Sequence, residues 1–303
     1  MIKPVSFYSE GVKLAADIFY PDSFSPSEKR PAILLCHGYT GTRDLYLPQI
    51  ARTLNDAGFI VMTFDYKGWG TSEGPKNRLD PHGRVADSHA ALTILGAEPG
   101  VDPRRLGVYG TSYGGATAVW LAATDPRVRA LVSVVAPANG ARWMRSVRRP
   151  DEFQDLLERS AADRWRRATT GVTEFVPRGE VLLADRASLA LAAAERAKHP
   201  AAVNTLPLEY VDDTLSFNAE WIVDRISPRA ALFIATDDDR LVPCEESVAL
   251  HARAREPKKL VILQGFGHYD VYSGEALRQV MAESIPWFHQ HLDDFLPRRA
   301  ITS

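Results

Sequence analysis

The chain has 303 residues, 45% of them hydrophobic and 24% charged, with 36 Lys and Arg against 38 Asp and Glu and a formal net charge of −2. These proportions suit a globular protein with a sizeable core, and the near balance of charge speaks against a dedicated nucleic-acid binder. Two cysteines, Cys36 and Cys244, make neither a disulfide framework nor a metal site. The first six residues lack the apolar stretch of a secretory leader, and no window approaches about eighteen uncharged apolar residues, so the expectation is a cytoplasmic protein without membrane or nucleic-acid partners.

In chain order, residues 5–8 and 12–20 read as two strands around the turn Ser9-Glu10-Gly11, and the serine-rich residues 22–30 as a loop. Residues 32–36 are a continuous apolar run, as expected of a strand buried on both faces of a parallel sheet, ending in His37-Gly38-Tyr39-Thr40-Gly41. Residues 45–57 read as a helix stopped by Gly58. A buried strand over 59–64 leads into Asp65-Tyr66-Lys67-Gly68-Trp69-Gly70-Thr71-Ser72, and helical spacing follows over 85–95. Residues 106–109 form a strand before Gly110-Thr111-Ser112-Tyr113-Gly114-Gly115, then a helix rich in small residues and a further strand over 128–135.

The pattern then breaks. No buried strand is expected over 137–214, where amphipathic stretches over 151–167 and 181–198 are interspersed with Trp143, Met144, Phe153, Trp165 and Phe175. The strand-helix alternation resumes with strands over 230–235 and 260–263 and helices over 242–254 and 275–292. Alternation of this kind specifies an α/β fold with a mostly parallel central sheet flanked by helices. The expected domains are a core, 1–136 and 215–303, and a helical cap insertion, 137–214. In such sheets the ligand crevice lies beyond the carboxyl ends of the strands, so His37-Gly38, Asp65 and Ser112 should share one rim.

Gly110-Thr111-Ser112-Tyr113-Gly114 between a strand and a helix is a G-x-S-x-G nucleophile elbow. The turn holds the serine in a strained conformation, and flanking side chains would collide with the neighbouring strand and helix. A serine hydroxyl needs a base, and the base an orienting carboxylate, in the chain order Ser, acid, His. Asp237, Asp238 and Asp239 follow one late strand, and at most one of them can serve. His268 follows the last strand and is the candidate base. His251, His289 and His291 read as surface or packing residues, as does His37.

These segments resemble the α/β-hydrolase superfamily over nearly the whole chain. His37-Gly38 is similar to its oxyanion segment, the Asp65–Ser72 stretch to its D-x-R-G-x-G-x-S loop, Asp239-Arg240-Leu241-Val242-Pro243 to the segment carrying the acid, and Gly267-His268 to the segment carrying the base. Within the superfamily the Cys36–Gly41 stretch and the Trp69 loop look most like the dienelactone-hydrolase-like and X-prolyl-peptidase (cocaine-esterase)-like groups. The resemblance selects Asp239, with Asp237 as the alternative. It implies an oxyanion hole of the Tyr39 and Tyr113 backbone amides.

The reading is a serine hydrolase cleaving a carboxylic ester or related acyl bond of a small substrate, with no metal and no cofactor. Tyr39, Trp143 and Met144 are expected to line its pocket, with Phe175 as a further apolar wall. Amidase or peptidase action, thioester cleavage, acyl transfer and a non-catalytic binding protein on the same fold are the alternatives. A serine at the elbow disfavours dehalogenase or epoxide hydrolase chemistry. The run Arg142, Arg145, Arg148 and Arg149 reads as a solvated helix face balanced by Asp151, Glu152, Asp155 and Glu158. Asp65 reads as a loop anchor, Asp87 as a partner for a nearby arginine, and the closing helix as a possible homodimer surface.

Overall fold

The structure, a computed structural model, describes residues 1–22, 24–25, 27–199 and 203–293. Ser23 and Pro26 of the expected loop, part of the expected cap, and the core assignment beyond residue 293 lie outside the described residues.

An eight-stranded sheet runs in the order β1-β2-β4-β3-β5-β6-β9-β10. Its strands are β1 (Ile2–Ser9), β2 (Val12–Phe19), β3 (Arg30–Cys36), β4 (Ile60–Phe64), β5 (Val101–Thr111), β6 (Val128–Val134), β9 (Ala230–Thr236) and β10 (Lys258–Leu263). β1 pairs antiparallel with β2, and β2 with β4. Every other pairing in this sheet is parallel.

The interior strands carry long buried apolar runs because both faces are covered there. Successive side chains point to opposite faces, and β3 shows the consequence. Ala32, Leu34 and Cys36 join the core beneath α2 (Pro81–Ala97), α3 (Tyr113–Thr124) and α9 (Glu245–Arg253). Ile33 and Leu35 join the opposite core with α1 (Leu47–Asp56) and α10 (Gly274–Asp293). Among the described residues no helix is long and apolar enough to cross a membrane.

The chain leaves β3 for β4 on one side and then returns to β5 on the other. The carboxyl ends of β3 and β5 therefore flank the point where strand order reverses, which is where open α/β sheets bind ligands. Cys36-His37-Gly38 and Thr111-Ser112 are the residues that emerge there.

Several boundaries differ from the expected ones for local reasons. α2 starts at Pro81, four residues before Val85, because the Asp80 side chain accepts from the Gly83 amide and proline suits the first helical turn. α9 starts only at Glu245, since Leu241 and Val242 give their amides to Asp239. Between β6 and β9 lie α4 (Gly140–Ser146), α5 (Pro150–Thr170), α6 (Arg178–Val181), α7 (Arg186–Arg196) and α8 (Tyr210–Ser216). No buried strand is expected here, and the segment instead carries a short, partly exposed antiparallel ribbon of β7 (Phe175–Pro177) and β8 (Thr205–Pro207). Three-residue strands that end in proline carry no periodicity to read.

Candidate active site

The β5-to-α3 turn places Ser112 at φ 58°, ψ −131°, a region that non-glycine residues rarely occupy and that costs about 1–3 kcal/mol. The crowding that demands the flanking glycines is visible. A Cβ on Gly110 would lie 2.2 Å from the Gly114 carbonyl oxygen, and one on Gly114 would lie 2.1 Å from that of Cys36. Gly38 also approaches closely, since its Cβ would sit 3.4 Å from Ser112 Cβ. The His37-Gly38 segment thus lies directly against the elbow.

The structure brings Ser112, His268 and Asp239 together. His268 Nε2 is 3.0 Å from Ser112 Oγ, and His268 Nδ1 is 2.6 Å from Asp239 Oδ2. All three are buried, with the imidazole 1% exposed. Asp239 Oδ1 accepts from the amides of Leu241 at 2.9 Å and Val242 at 2.7 Å, so both carboxylate oxygens are engaged. Asp237 is exposed and accepts instead from the Gly265 amide at 2.6 Å, fixing the loop that carries His268. Asp238 is exposed and pairs with Arg240.

The Tyr39 and Tyr113 amides have no acceptor among the described residues; Tyr113 follows Ser112 in the chain, and Tyr39 lines the same pocket as Ser112. The Tyr39 segment is held by a residue that the sequence did not mark. Arg84, on α2 and 1% exposed, donates to the carbonyls of Gly38 at 3.0 Å and Tyr39 at 2.9 Å. Its guanidinium lies over the rings of Tyr66 and Trp69, at 4.6 and 5.1 Å from their centroids. Burial and the Arg84 charge hold His37 well below the usual imidazole range, so His37 is neutral, with Nδ1 donating to the Gly38 carbonyl. Asp65, fully buried, accepts from the amides of Arg43 and Thr71 and from the Arg43 guanidinium, which makes it the loop anchor expected.

The pocket above Ser112 is lined in part by Tyr39, Tyr46, Trp143, Leu182, Ala192 and Tyr269. Trp143 donates its indole N–H to the Leu241 carbonyl at 2.6 Å and stands edge-on to Tyr39. Met144 does not line the pocket, contrary to expectation. Adjacent helical residues point about 100° apart, so with Trp143 facing Ser112, Met144 turns into the core. Phe175 is 59% exposed and away from the pocket. Two lining residues unmarked in the sequence are Arg178 and Arg196.

Other expectations also need correction. Asp87 pairs with Lys67, which gives it both amide and ammonium, rather than with an arginine. Arg149 does pair with Asp151 and Glu152. Arg142 instead bridges Glu220 and Glu246, and Arg148 donates to the carbonyls of Glu180 and Val181. Both arginines stitch the segment after β6 to its surroundings.

Asp213 on α8 is pushed up to about 6 by burial and by the charges of Glu209 and Asp80. A carboxylate raised in the folded state binds its proton more tightly there, so its contribution to stability is complete below the unfolded value near 3.8 and is lost as pH rises through about 6. Asp213→Asn should therefore stabilise the protein at pH 7 by on the order of 1–2 kcal/mol. Thermal unfolding at pH 4.5 and pH 7 checks this, and a variant that melts at or below the wild type at pH 7 would refute it.

Residues 27–271 match the model of the serine aminopeptidase S33 family. An uncharacterized 31.7 kDa protein of Escherichia coli, from the traX-finO intergenic region, is 31% identical over 87% of this chain and 92% of its own length. The polyketide transferase GrgF of Penicillium sp. is 27% identical over 89% of this chain and 91% of its own. The crystal structure of GrgF superposes with a TM-score of 0.80 at 25% identity, covering 97% of this chain and 99% of that one. A thiohydrolase of Eupenicillium brefeldianum is 26% identical over 88% of this chain and 87% of its own. The chain belongs to the serine aminopeptidase S33 family and so to the α/β hydrolases. The narrower likeness to dienelactone hydrolases and X-prolyl peptidases is not what this match identifies.

Proposed function

We propose that this α/β hydrolase cleaves a carboxylic ester of a small acyl substrate through an acyl-enzyme on Ser112. The observation that carries the reading is the hydrogen-bonded series Ser112–His268–Asp239 beside two unengaged amides. His268 Nε2 takes the Ser112 proton as Oγ attacks the carbonyl carbon. Asp239 accepts from Nδ1, fixing the tautomer and stabilising the imidazolium. The Tyr39 and Tyr113 amides receive the negative charge that develops on the carbonyl oxygen. Collapse expels the leaving group, which takes the proton from His268, and water then repeats the sequence in reverse to release the acid. The described residues of 137–214 serve as a cap that supplies Trp143, Leu182 and Ala192 to the pocket wall.

Thioester cleavage is a second reading, favoured by the relatives named as a thiohydrolase and a polyketide transferase. Aminopeptidase action is disfavoured by charge. No carboxylate lines the pocket among the described residues, and two guanidiniums do, so a substrate α-ammonium would meet like charge there.

The test is a panel of p-nitrophenyl esters of increasing acyl length beside the matching anilides and N-acetylcysteamine thioesters. A stoichiometric burst of nitrophenolate that disappears in Ser112→Ala is the expected result. Anilide turnover near the ester rate would move the assignment to an amidase or peptidase, and faster thioester turnover to a thioesterase. Silence across the panel would leave a binding protein.

Arg84 is a positioning residue on this account, since it holds the carbonyls on either side of the Tyr39 amide. Arg84→Met should lower kcat by about ten- to a hundredfold with a smaller change in KM, because the lost contact matters most once the oxyanion forms. Equal losses in KM and kcat, tracking a fall in melting temperature, would reduce Arg84 to a structural role.

A further inference from the structure

The pocket holds two positive charges that the triad mechanism does not use. Arg178 opens α6 and Arg196 closes α7, yet both converge on one buried acceptor. Arg178 Nε and Arg196 Nη1 each lie 3.1 Å from Thr40 Oγ1. Thr40 is next to Tyr39, which lines the pocket with Ser112. Arg178 Nη2 donates to the Tyr269 hydroxyl at 2.9 Å, and Tyr269 is next to His268. The two guanidiniums thus sit between the oxyanion segment and the base.

Neither has a carboxylate partner among the described residues. Of the acids nearest them in sequence, Glu195 is engaged by Lys198 and His199, and Glu180 by Arg159. Arg196 is 8% exposed, and its Nε has no hydrogen-bond partner among the described residues. The buried Tyr46 hydroxyl, which lines the same pocket, also lacks one. Burial and the like charge of Arg178 push the Arg196 guanidinium down to about 10. Like charges held together without a counter-ion are costly unless something negative arrives. Arginine is also the side chain best shaped to grip a planar oxyanion.

We propose that the substrate carries an anionic group, a carboxylate or phosphate separate from the scissile carbonyl, which Arg178 and Arg196 bind with the Tyr46 hydroxyl as a further donor. The anion lies close to the reaction centre, because its arginines contact the neighbours of Tyr39 and His268. It brings the counter-charge that the pocket lacks, and by docking there it sets the register of the acyl bond over Ser112. This rests on the hydrolase reading and narrows it to anionic acyl compounds.

The test uses two pairs of chromogenic esters. One pair puts the charge on the acyl side, mono-p-nitrophenyl glutarate against p-nitrophenyl valerate. The other puts it on the leaving group, the butyrate of 3-carboxy-4-nitrophenol against that of 4-nitrophenol. In one pair the wild type should favour the anionic ester by about tenfold or more in kcat/KM, chiefly through KM. Arg178→Gln and Arg196→Gln should each collapse that ratio, and Arg178→Lys should restore part of it. No preference in either pair, or variants that slow both esters of a pair equally, would overturn the proposal. A burst with the neutral esters upholds the hydrolase reading whatever the ratio. If no ester turns over, calorimetry with glutarate decides: binding lost in Arg196→Gln retains the anion site, and no binding removes it.

Discussion

Ser112→Ala and His268→Ala are each expected to lower kcat on any ester the wild type turns over by about 10⁴-fold or more, and the double variant should be no worse than the poorer single one. The reason is the geometry of the pair. With Nε2 at 3.0 Å from Oγ, the imidazole can take the proton only as the nucleophile attacks, so removing either group removes the same step. What should survive is substrate binding together with the oxyanion contribution proposed for the Tyr39 and Tyr113 amides. Losses that multiply in the double variant would mean that the two residues act independently, contrary to this account. Both variants should fold, because Ser112→Ala relieves no contact of the core and His268 sits on a loop tied down by Asp237 and Asp270.

Asp239→Asn carries the second large effect, a loss of about 10⁴-fold in kcat, against a change of less than about threefold for Asp237→Asn. Asp239 Oδ2 accepts from the imidazole while Oδ1 is fixed by two amides. An amide at this position would present the wrong hydrogen-bonding partner and favour the wrong tautomer. Asp237 is exposed, and among the described residues its side chain accepts a hydrogen bond only from the Gly265 amide. The two variants side by side, assayed for kcat at saturating substrate, distinguish the carboxylates that the sequence lists consecutively. Equal losses, or a larger loss for Asp237→Asn, would reverse the assignment.

The central strands were legible because burial on both faces leaves an unbroken apolar run, as at Leu34-Leu35-Cys36 and Ala231-Leu232-Phe233. The elbow turn around Ser112 was legible because the close backbone approaches at 110 and 114 leave room only for glycine. The acid was less so. Sequence order allows any of three neighbouring aspartates, and it is burial, the Leu241 and Val242 amides and the contact with His268 that separate Asp239 from Asp237. Arg84, Arg178 and Arg196 were hidden for a different reason. Each meets the Tyr39 segment across a long stretch of chain, Arg196 reaching Thr40 over 156 residues, and arginine on an amphipathic helix reads as solvated surface. Arg142 was misread in the same way, its partners being Glu220 and Glu246 rather than the nearby acids.

The central claim is that Ser112 is the nucleophile. Intact-protein mass spectrometry after treatment with a fluorophosphonate, followed by peptide mapping, tests it most directly. The account predicts one adduct, on the peptide containing Ser112, absent from Ser112→Ala and strongly slowed in His268→Ala. Ester turnover by a protein that takes no label at Ser112, or an adduct retained in Ser112→Ala, would contradict it.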